Sequence, residues 1–174
     1  MERTGDMEIV NRVASSPLIT LDLSEFIPDQ ERVIIDMKEW LFQEMILREK
    51  DFRLKVKEHD WSIYENKYVA INCSVDAIIP TWAYMLLVTK LEPLVKDVIY
   101  GSVKDLENSI CLEAIQGIDA YQYLDKKVVI KGCSDLLCDP EVVYMAVTKK
   151  LTPVVSSLMY GEPCSTVPLY KKKK

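Results

Sequence analysis

Cysteine is the residue type that carries most of the chemistry in this sequence. Three of the five cysteines follow segments whose pattern predicts β-strands: Cys73, Cys133 and Cys164. Because parallel strands all end at one edge of a sheet, where ligands gather, we expect these three thiols to lie close together. Cys138 precedes a predicted helix and could join them. Thiolates bind zinc and iron–sulfur clusters, so the sequence suggests a metal centre at this edge.

Two other interpretations of the same cysteines stay open. The sequence contains no C-x-x-C pair, so the metal hypothesis depends on predicted topology and not on a motif. A thiol at the positive end of a helix is activated, so Cys73 or Cys133 could instead act as a nucleophile or a redox group. Cysteine at the end of a strand is also a common small apolar core residue.

His59 is the single histidine, on a predicted short helix that begins near Asp51 and carries Phe52 and Val56 on the same face. In a parallel arrangement His59 falls at the edge opposite the cysteines, where it packs near Trp61 as a partly exposed side chain. It is also a candidate fourth metal ligand, with Cys138 as the alternative. A serine–histidine–aspartate triad is not indicated, because no Gly-x-Ser-x-Gly motif supplies the nucleophile.

An internal repeat organises the elements that carry these residues. Shifted by 60 positions, residues 67–101 match residues 127–161 without a gap, and 13 of the 35 aligned pairs are identical. Such self-similarity indicates a duplicated unit, here two halves of a single domain. Each copy has the pattern of a strand, a buried helix and a second strand. Two such βαβ units predict an α/β fold with a largely parallel or mixed sheet.

The pattern also predicts where the individual elements lie. Within the repeat we expect strands at Tyr68–Ile71, Val98–Tyr100, Val128–Ile130 and Leu158–Tyr160, and helices at Trp82–Leu91 and Val142–Leu151. Outside it we expect strands at Leu18–Leu23, Met45–Leu47 and Ile110–Leu112, and a helix at Asp29–Phe42.

Composition and charge exclude several classes of protein. With 49% apolar and 28% charged residues, the 174-residue chain is typical of one soluble globular domain. A net charge of −5 makes nucleic acid an unlikely partner, and five glycines leave no Gly-rich phosphate loop. Pro80 interrupts the longest apolar stretch, so no membrane span is expected. The start of the chain does not resemble a secretory signal, and an odd number of cysteines fits a reducing compartment, so we expect a cytoplasmic protein.

The chain divides into an N-terminal segment (1–17), one α/β domain (18–170) and a basic tail (171–174), which we expect to be solvated. Apolar residues near that tail could support self-association into a homo-oligomer; they are Met159, Tyr160, Val167, Leu169 and Tyr170.

Several longer strings are distinctive: Leu18–Leu23, Ile46–Arg53, His59–Ser62, Pro80–Leu86 and Tyr160–Pro168. In these strings the chain resembles, over nearly its whole length, an uncharacterised bacterial family found chiefly in Bacteroidetes. The resemblance implies a single-domain cytoplasmic protein of unknown function. It also implies that Cys73, Cys133, Cys164 and His59 match the family pattern, whereas Cys138 is particular to this sequence. This favours His59 as the fourth ligand, against the topological argument.

Three hypotheses about function follow. The first is a protein that binds zinc or an iron–sulfur centre through Cys73, Cys133 and Cys164, with His59 or Cys138 as fourth ligand. The second is a thiol-dependent enzyme or redox protein. The third is a non-catalytic domain that binds another protein or itself.

Overall fold

The computed structural model describes residues 18–132, 136–162 and 164–173. Within these ranges the chain forms α-helices, strands and short 3-10 helices. The strands are β1 (Leu18–Leu21), β2 (Arg32–Asp36), β3 (Tyr68–Asn72), β4 (Asp97–Tyr100), β5 (Lys127–Ile130), β6 (Ser157–Glu162) and β7 (Ser165–Lys171). The α-helices are α1 (Glu49–Glu58), α2 (Thr81–Leu91), α3 (Val103–Gly117) and α4 (Pro140–Leu151). The 3-10 helices are η1 (Leu23–Phe26), η2 (Met37–Trp40), η3 (Trp61–Tyr64) and η4 (Ala120–Tyr123).

The chain forms two compact units. Unit 1 takes its described residues from Met1–Ile27, Ala114–Leu136 and Val143–Lys174, and unit 2 consists of Pro28–Glu113 and Leu137–Val142. The fold class expected from sequence is confirmed, since both units combine helices with mostly parallel strands. The boundaries expected for the domain and the tail stay predictions, and residues 1–17 lie outside the described part of the chain.

Unit 2 is built on a parallel sheet with the order β2-β3-β4. The central strand β3 is buried over its first four residues, as its apolar run predicts. One face of the sheet packs against α1 and α2, whose Phe52, Leu87 and Leu91 side chains are fully buried. Burial of each such side chain contributes roughly 1.5–3 kcal/mol to folding.

Unit 1 is built on a sheet with the order β1-β5-β6-β7. The first three strands are parallel, and β7 returns antiparallel to β6. Val128, Val129 and Ile130 of β5 are fully buried. The lysine run begins inside this sheet, because Lys171 ends β7 and the Lys172 ammonium lies 2.8 Å from an Asp125 carboxylate oxygen.

The two βαβ segments expected from the repeat are present as β3-α2-β4 and β5-α4-β6. In the first strand, however, the gapless sequence alignment differs from the structural register by one residue. Val69 pairs with Val98, and Val128 pairs with Leu158. If β4 is aligned with β6 at a spacing of 60 residues, β3 therefore aligns with β5 at a spacing of 59. Cys73 therefore corresponds in register to Gly132 and not to Cys133. The duplication itself stays a prediction.

The prediction of a helix over Asp29–Phe42 is wrong. Residues 32–36 form β2, which pairs in parallel with β3. The helical part of this segment is limited to Met37–Trp40, which form the 3-10 helix η2. The β-branched run Val33-Ile34-Ile35 favours an extended backbone, and pairing with β3 satisfies its hydrogen bonds on one side. The apparent helical spacing arose because a strand and a 3-10 turn both direct apolar residues into one core.

Two further strand predictions are wrong. Met45–Leu47 lie beyond a turn in which Gln43 and Glu44 have positive φ angles of 50° and 58°, with one isolated bridge from Phe42 to Ile46. Ile110–Leu112 lie inside α3, which begins at a reciprocal set of hydrogen bonds between Ser102 and Asp105.

No helix in the described ranges is long and apolar enough to cross a membrane. The expectations of a cytoplasmic location, of no nucleic-acid partner and of a homo-oligomer stay predictions.

Candidate functional site

A surface pocket of about 420 Å³ lies in unit 2. Its volume is within the range of small-molecule sites in proteins. Edge strand β2, helix η2, the C-terminal part of α1 and helix η3 supply its walls. The lining residues are Ile34, Ile35, Asp36, Glu39, Trp40, Lys55, Glu58, His59 and Tyr64.

Asp36 ends β2 and positions the next element of the pocket. One carboxylate oxygen accepts hydrogen bonds from the backbone N–H groups of Lys38 (2.9 Å) and Ser74 (3.0 Å), so the side chain caps η2. Burial raises the pKa of the Asp36 carboxyl, but the hydrogen bonds from Ser74 and Lys38 and the nearby Lys38 charge together hold it below the ordinary value of 3.8. Asp36 therefore stays ionised at neutral pH.

His59 stands where α1 ends. Its backbone N–H donates to the Lys55 carbonyl (2.9 Å), and the chain then turns into η3, which Asp60 caps. The His59 Nε2 atom lies 3.2 Å from the Tyr64 hydroxyl, within hydrogen-bond distance. The end of the helix thus places the imidazole against a phenol in the pocket wall.

Aromatic rings hold the imidazole of His59 on several sides. Its ring centroid lies 5.1 Å from that of Trp40, 4.7 Å from Trp61 and 5.6 Å from Tyr64. Trp61 stacks on Trp40 at 5.8 Å and donates its indole N–H to the Val56 carbonyl (2.9 Å). With each ring fixed by its neighbours, the His59 side chain has little freedom to change rotamer.

Tyr64 is 8% exposed, and its environment favours the neutral phenol. Burial is the larger cause and the negative charge of Glu39 the smaller, and both raise the pKa of the Tyr64 hydroxyl above its ordinary value of 10.0. The neutral hydroxyl can donate or accept a hydrogen bond, either to His59 or to a ligand.

The rim of the pocket carries more negative than positive charge. Lys55 donates from Nζ to the backbone carbonyl of Glu39 (2.9 Å) and not to a carboxylate. Within the described ranges, the carboxylates of Glu39 and Glu58 have neither an ion pair nor a hydrogen bond. The pocket therefore offers carboxylates that the protein itself leaves unpaired.

Unit 1 contains the same framework with different side chains. Asp22 caps η1 as Asp36 caps η2, and Asp119 caps η4 as Asp60 caps η3. Tyr123 is the last residue of η4, as Tyr64 is of η3. Burial and the negative charge of Glu25 raise the pKa of Tyr123, just as burial and Glu39 raise that of Tyr64.

Two side chains of unit 2, His59 and Trp61, are replaced on that framework in unit 1. Ile118 stands in the position of His59 and Ala120 in the position of Trp61, so the imidazole and one indole are absent. A similar framework therefore forms without these side chains, which indicates that the fold does not require them.

The residues predicted as a thiolate site are distributed over both units. In unit 2, Cys73 is half-buried after β3 and its thiol lies 3.3 Å from the Val75 carbonyl, whereas His59 lies in the aromatic pocket. In unit 1, Cys164 is exposed in the turn between β6 and β7. Cys133 lies outside the described residues.

Cys138 is not a free ligand, because it forms a disulfide with Cys111. Both cysteines are buried, and Asn108, three residues before Cys111 on α3, holds the loop by two hydrogen bonds to Asp139 (2.7 and 3.0 Å). The sequence favoured a reducing compartment over a disulfide framework, and the described part of the chain contains this one disulfide. The sequence could not show it, since 27 positions separate the two cysteines.

Among the residues that the structure describes, no group of three or more histidine, cysteine, aspartate or glutamate side chains could hold a metal ion. A zinc or iron–sulfur centre on Cys73, Cys133 and Cys164 stays a prediction, because Cys133 falls outside that set.

Sequence reasoning missed most of the pocket, although a signal for it was present. Residues 22–26 read Asp-Leu-Ser-Glu-Phe and residues 36–40 read Asp-Met-Lys-Glu-Trp, an Asp-x-x-Glu-aromatic pattern that occurs twice before the first copy of the repeat. The pattern marks the capped 3-10 turns that bring Glu39 and Trp40 into the pocket. Both segments lie outside the aligned repeat, so the repeat by itself does not indicate them.

Comparison with known proteins identifies a family and nothing further. Neither a search of curated proteins nor a search of solved structures gave a match. A family described as "Protein of unknown function (DUF2480)" matches residues 7–172. This confirms the resemblance to an uncharacterised family over nearly the whole chain, whereas bacterial origin stays a prediction. The chain belongs to the DUF2480 family.

Proposed function

We propose that this protein is a binding protein whose pocket in unit 2 binds a small molecule. The ligand lies between an aromatic wall (Trp40 and Tyr64) and an acidic rim (Asp36, Glu39 and Glu58). His59 and Tyr64 contact a polar group of the ligand, and Trp40 contacts its apolar part. The pocket volume of about 420 Å³ and the mixture of rings with a few polar groups fit such a site.

One observation carries this proposal: the His59 imidazole and the Trp61 indole occur in unit 2, and the equivalent positions of unit 1 contain neither group. Ile118 and Ala120 of unit 1 take the places of His59 and Trp61. Burying an imidazole and an indole N–H requires hydrogen-bond partners, a requirement that Ile and Ala do not have. A group that is costly to bury and not needed by the framework is a candidate for function.

The tryptophans make this proposal testable without a label. All three tryptophans lie in unit 2, and Trp40 lines the pocket. We would titrate the protein with indole, 1-butanol, butyrate, butylammonium and butylguanidinium, and follow tryptophan emission and the temperature of unfolding. We expect at least one probe to change both, with a dissociation constant at or below about 1 mM.

Tyr64→Phe is the test variant and Tyr123→Phe the matched control in unit 1. Loss of the Tyr64 hydroxyl removes one hydrogen bond to the ligand or to His59, which weakens binding about threefold to tenfold. Tyr123→Phe changes the same group outside the pocket, so the affinity stays at the wild-type value. If no probe changes the emission at about 10 mM, or if both variants bind as the wild type does, the pocket is not a binding site.

A further inference from the structure

We infer that the ligand of this pocket carries a positive charge, in the form of a primary ammonium or guanidinium group. This inference rests on the proposed binding function and names the chemical class of the ligand. It depends on the charge balance of the pocket and on a comparison of the two units.

The charge balance of the lining favours a cation. Three acidic residues (Asp36, Glu39 and Glu58) line the pocket, against one lysine, Lys55. The Lys55 ammonium bonds a backbone carbonyl, and no described side chain pairs with Glu39 or Glu58. A ligand with a positive charge would relieve the repulsion among these carboxylates, and an anion would increase it.

Unit 1 shows what the equivalent aspartate does when a cation is present. The Lys131 ammonium lies 2.6 Å from an Asp22 carboxylate oxygen, and Asp22 is the counterpart of Asp36. The residue that corresponds to Lys131 in unit 2 is Asn72, which has no charge. In unit 2 the nearest lysine in sequence, Lys38, pairs instead with Glu44 at 3.2 Å. Unit 1 thus supplies its own cation to this position, whereas no described side chain of unit 2 forms an ion pair with Asp36.

The chemistry of the walls favours an organic cation over a metal ion. No cluster of three potential metal ligands exists among the described side chains, so the carboxylates do not converge on one point. Trp40 and Tyr64 also line the pocket, and aromatic rings attract organic cations. Elsewhere in unit 2 arginine already uses this interaction, since the Arg53 guanidinium lies 5.0 Å from the Trp82 ring centroid.

Isothermal titration with isosteric probes tests the charge directly. We expect butylammonium or butylguanidinium to bind at least about tenfold more tightly than 1-butanol, and butyrate to bind more weakly still. Added salt should weaken binding of the cations and leave 1-butanol unaffected. Putrescine and N-acetyl-lysine methylamide distinguish the two sources of an ammonium, a free amine and a lysine side chain of a protein, according to which binds more tightly.

Three variants separate the charge from the fold. Glu39→Gln combined with Glu58→Gln keeps the shape of the rim and should weaken butylammonium binding about tenfold, while the control Glu25→Gln in unit 1 should have no effect. Asn72→Lys supplies the cation that unit 1 contains, so it should abolish butylammonium binding and leave the protein folded.

The outcomes distinguish this inference from the proposal on which it rests. If 1-butanol or indole binds as tightly as butylammonium, the ligand is not a cation, although the binding function stands. If Asn72→Lys binds butylammonium as tightly as the wild type does, the cation does not occupy the position that Lys131 fills in unit 1, and that part of the inference fails. If butyrate binds most tightly of the probes, the ligand is an anion and the inferred positive charge is wrong. If no probe binds, both the inference and the proposed function fail.

Discussion

Asp36 illustrates how one side chain can serve both the backbone and a site. Its carboxylate caps η2, bonds the N–H of Ser74 and forms part of the pocket wall. The capping role requires an acceptor, and the negative charge strengthens it, because the hydrogen bonds from Lys38 and Ser74 favour the ionised carboxylate. The same charge can interact electrostatically with a ligand.

The lowered pKa of Asp36 makes the stability of the fold dependent on pH. The folded-state value lies below the ordinary 3.8, so this carboxylate stabilises the fold above pH 3.8, and the contribution is lost as the pH falls through the folded value. Asp36→Asn should be less stable than the wild type at pH 7, with a difference that shrinks towards pH 2. Urea unfolding of both proteins between about pH 2 and pH 7 measures this difference in unfolding free energy. A difference that does not change with pH would contradict the lowered pKa of Asp36.

The cysteines divide into a buried pair and free thiols. Because Cys111 and Cys138 form a disulfide, the denatured protein should expose three reactive thiols of its five without reductant and five after reduction. Thiol titration in denaturant counts them, and five thiols without reductant would show that the pair is open.

Replacing the pair by Cys111→Ser and Cys138→Ser should lower the unfolding free energy by roughly 2–4 kcal/mol, because the disulfide constrains the unfolded chain. Cys164→Ser, at an exposed turn, is the control and should leave stability unchanged.

Among the elements, α2 is the clearest case of a helix stabilised by burial. Its apolar residues extend around most of its surface, but only one side meets the sheet: Leu87 is fully buried and Met85 is 64% exposed. Packing against β2 and β3, and not helix propensity, therefore holds α2 in place.

Substitutions on the two sides of α2 should differ accordingly. Leu87→Ala leaves a cavity in the core of unit 2 and should cost roughly 2–5 kcal/mol in unfolding free energy. Met85→Ala removes a side chain from the exposed side and should stay within about 0.5 kcal/mol of the wild type. Urea denaturation compares them, and equal effects would mean that Met85 is covered in solution.

The hairpin between β6 and β7 depends on one glycine. Gly161 has a φ of 120°, and a Cβ atom there would come within 2.6 Å of the Ser165 carbonyl oxygen. Such a position favours glycine, because other residues are strained in this backbone conformation.

Gly161→Ala should therefore destabilise the protein by about 1–3 kcal/mol. Gly117→Ala is the matched control: Gly117 ends α3, and a Cβ atom added there would have no neighbouring atom within 4 Å, so this variant should be more stable by roughly 0.5–1 kcal/mol. Thermal unfolding of both variants shows whether each unfolding temperature rises or falls relative to the wild type. Two shifts in the same direction would contradict this account.

For the molecule as a whole, binding and stability are linked. A ligand that binds only the folded chain raises the unfolding free energy by about 2.7 kcal/mol at a concentration of one hundred times its dissociation constant. We expect butylammonium at that concentration to raise the unfolding temperature of the wild type and of Glu25→Gln. The Asn72→Lys variant should not respond, and an equal rise in all three proteins would indicate a nonspecific solvent effect.

The amino-acid sequence by itself determined the two βαβ segments. In β3 and β5 a short apolar run is flanked by polar residues, and in α2 and α4 a longer apolar run follows a proline. These patterns are local: a strand that is buried on both faces must be apolar nearly throughout, and a proline is well suited to the first turn of a helix. The prediction of their positions succeeded to within a few residues for that reason.

Only the tertiary structure decided that residues 32–36 form a strand and that the pocket exists. β2 becomes a strand because β3, more than thirty positions later, supplies its hydrogen-bond partners. The contacts of the pocket also join residues that are far apart in sequence. Asp36 accepts a hydrogen bond from the N–H of Ser74, and the Trp40 ring packs against His59. Such contacts leave no periodic trace in the chain, because they depend on which segments fold side by side.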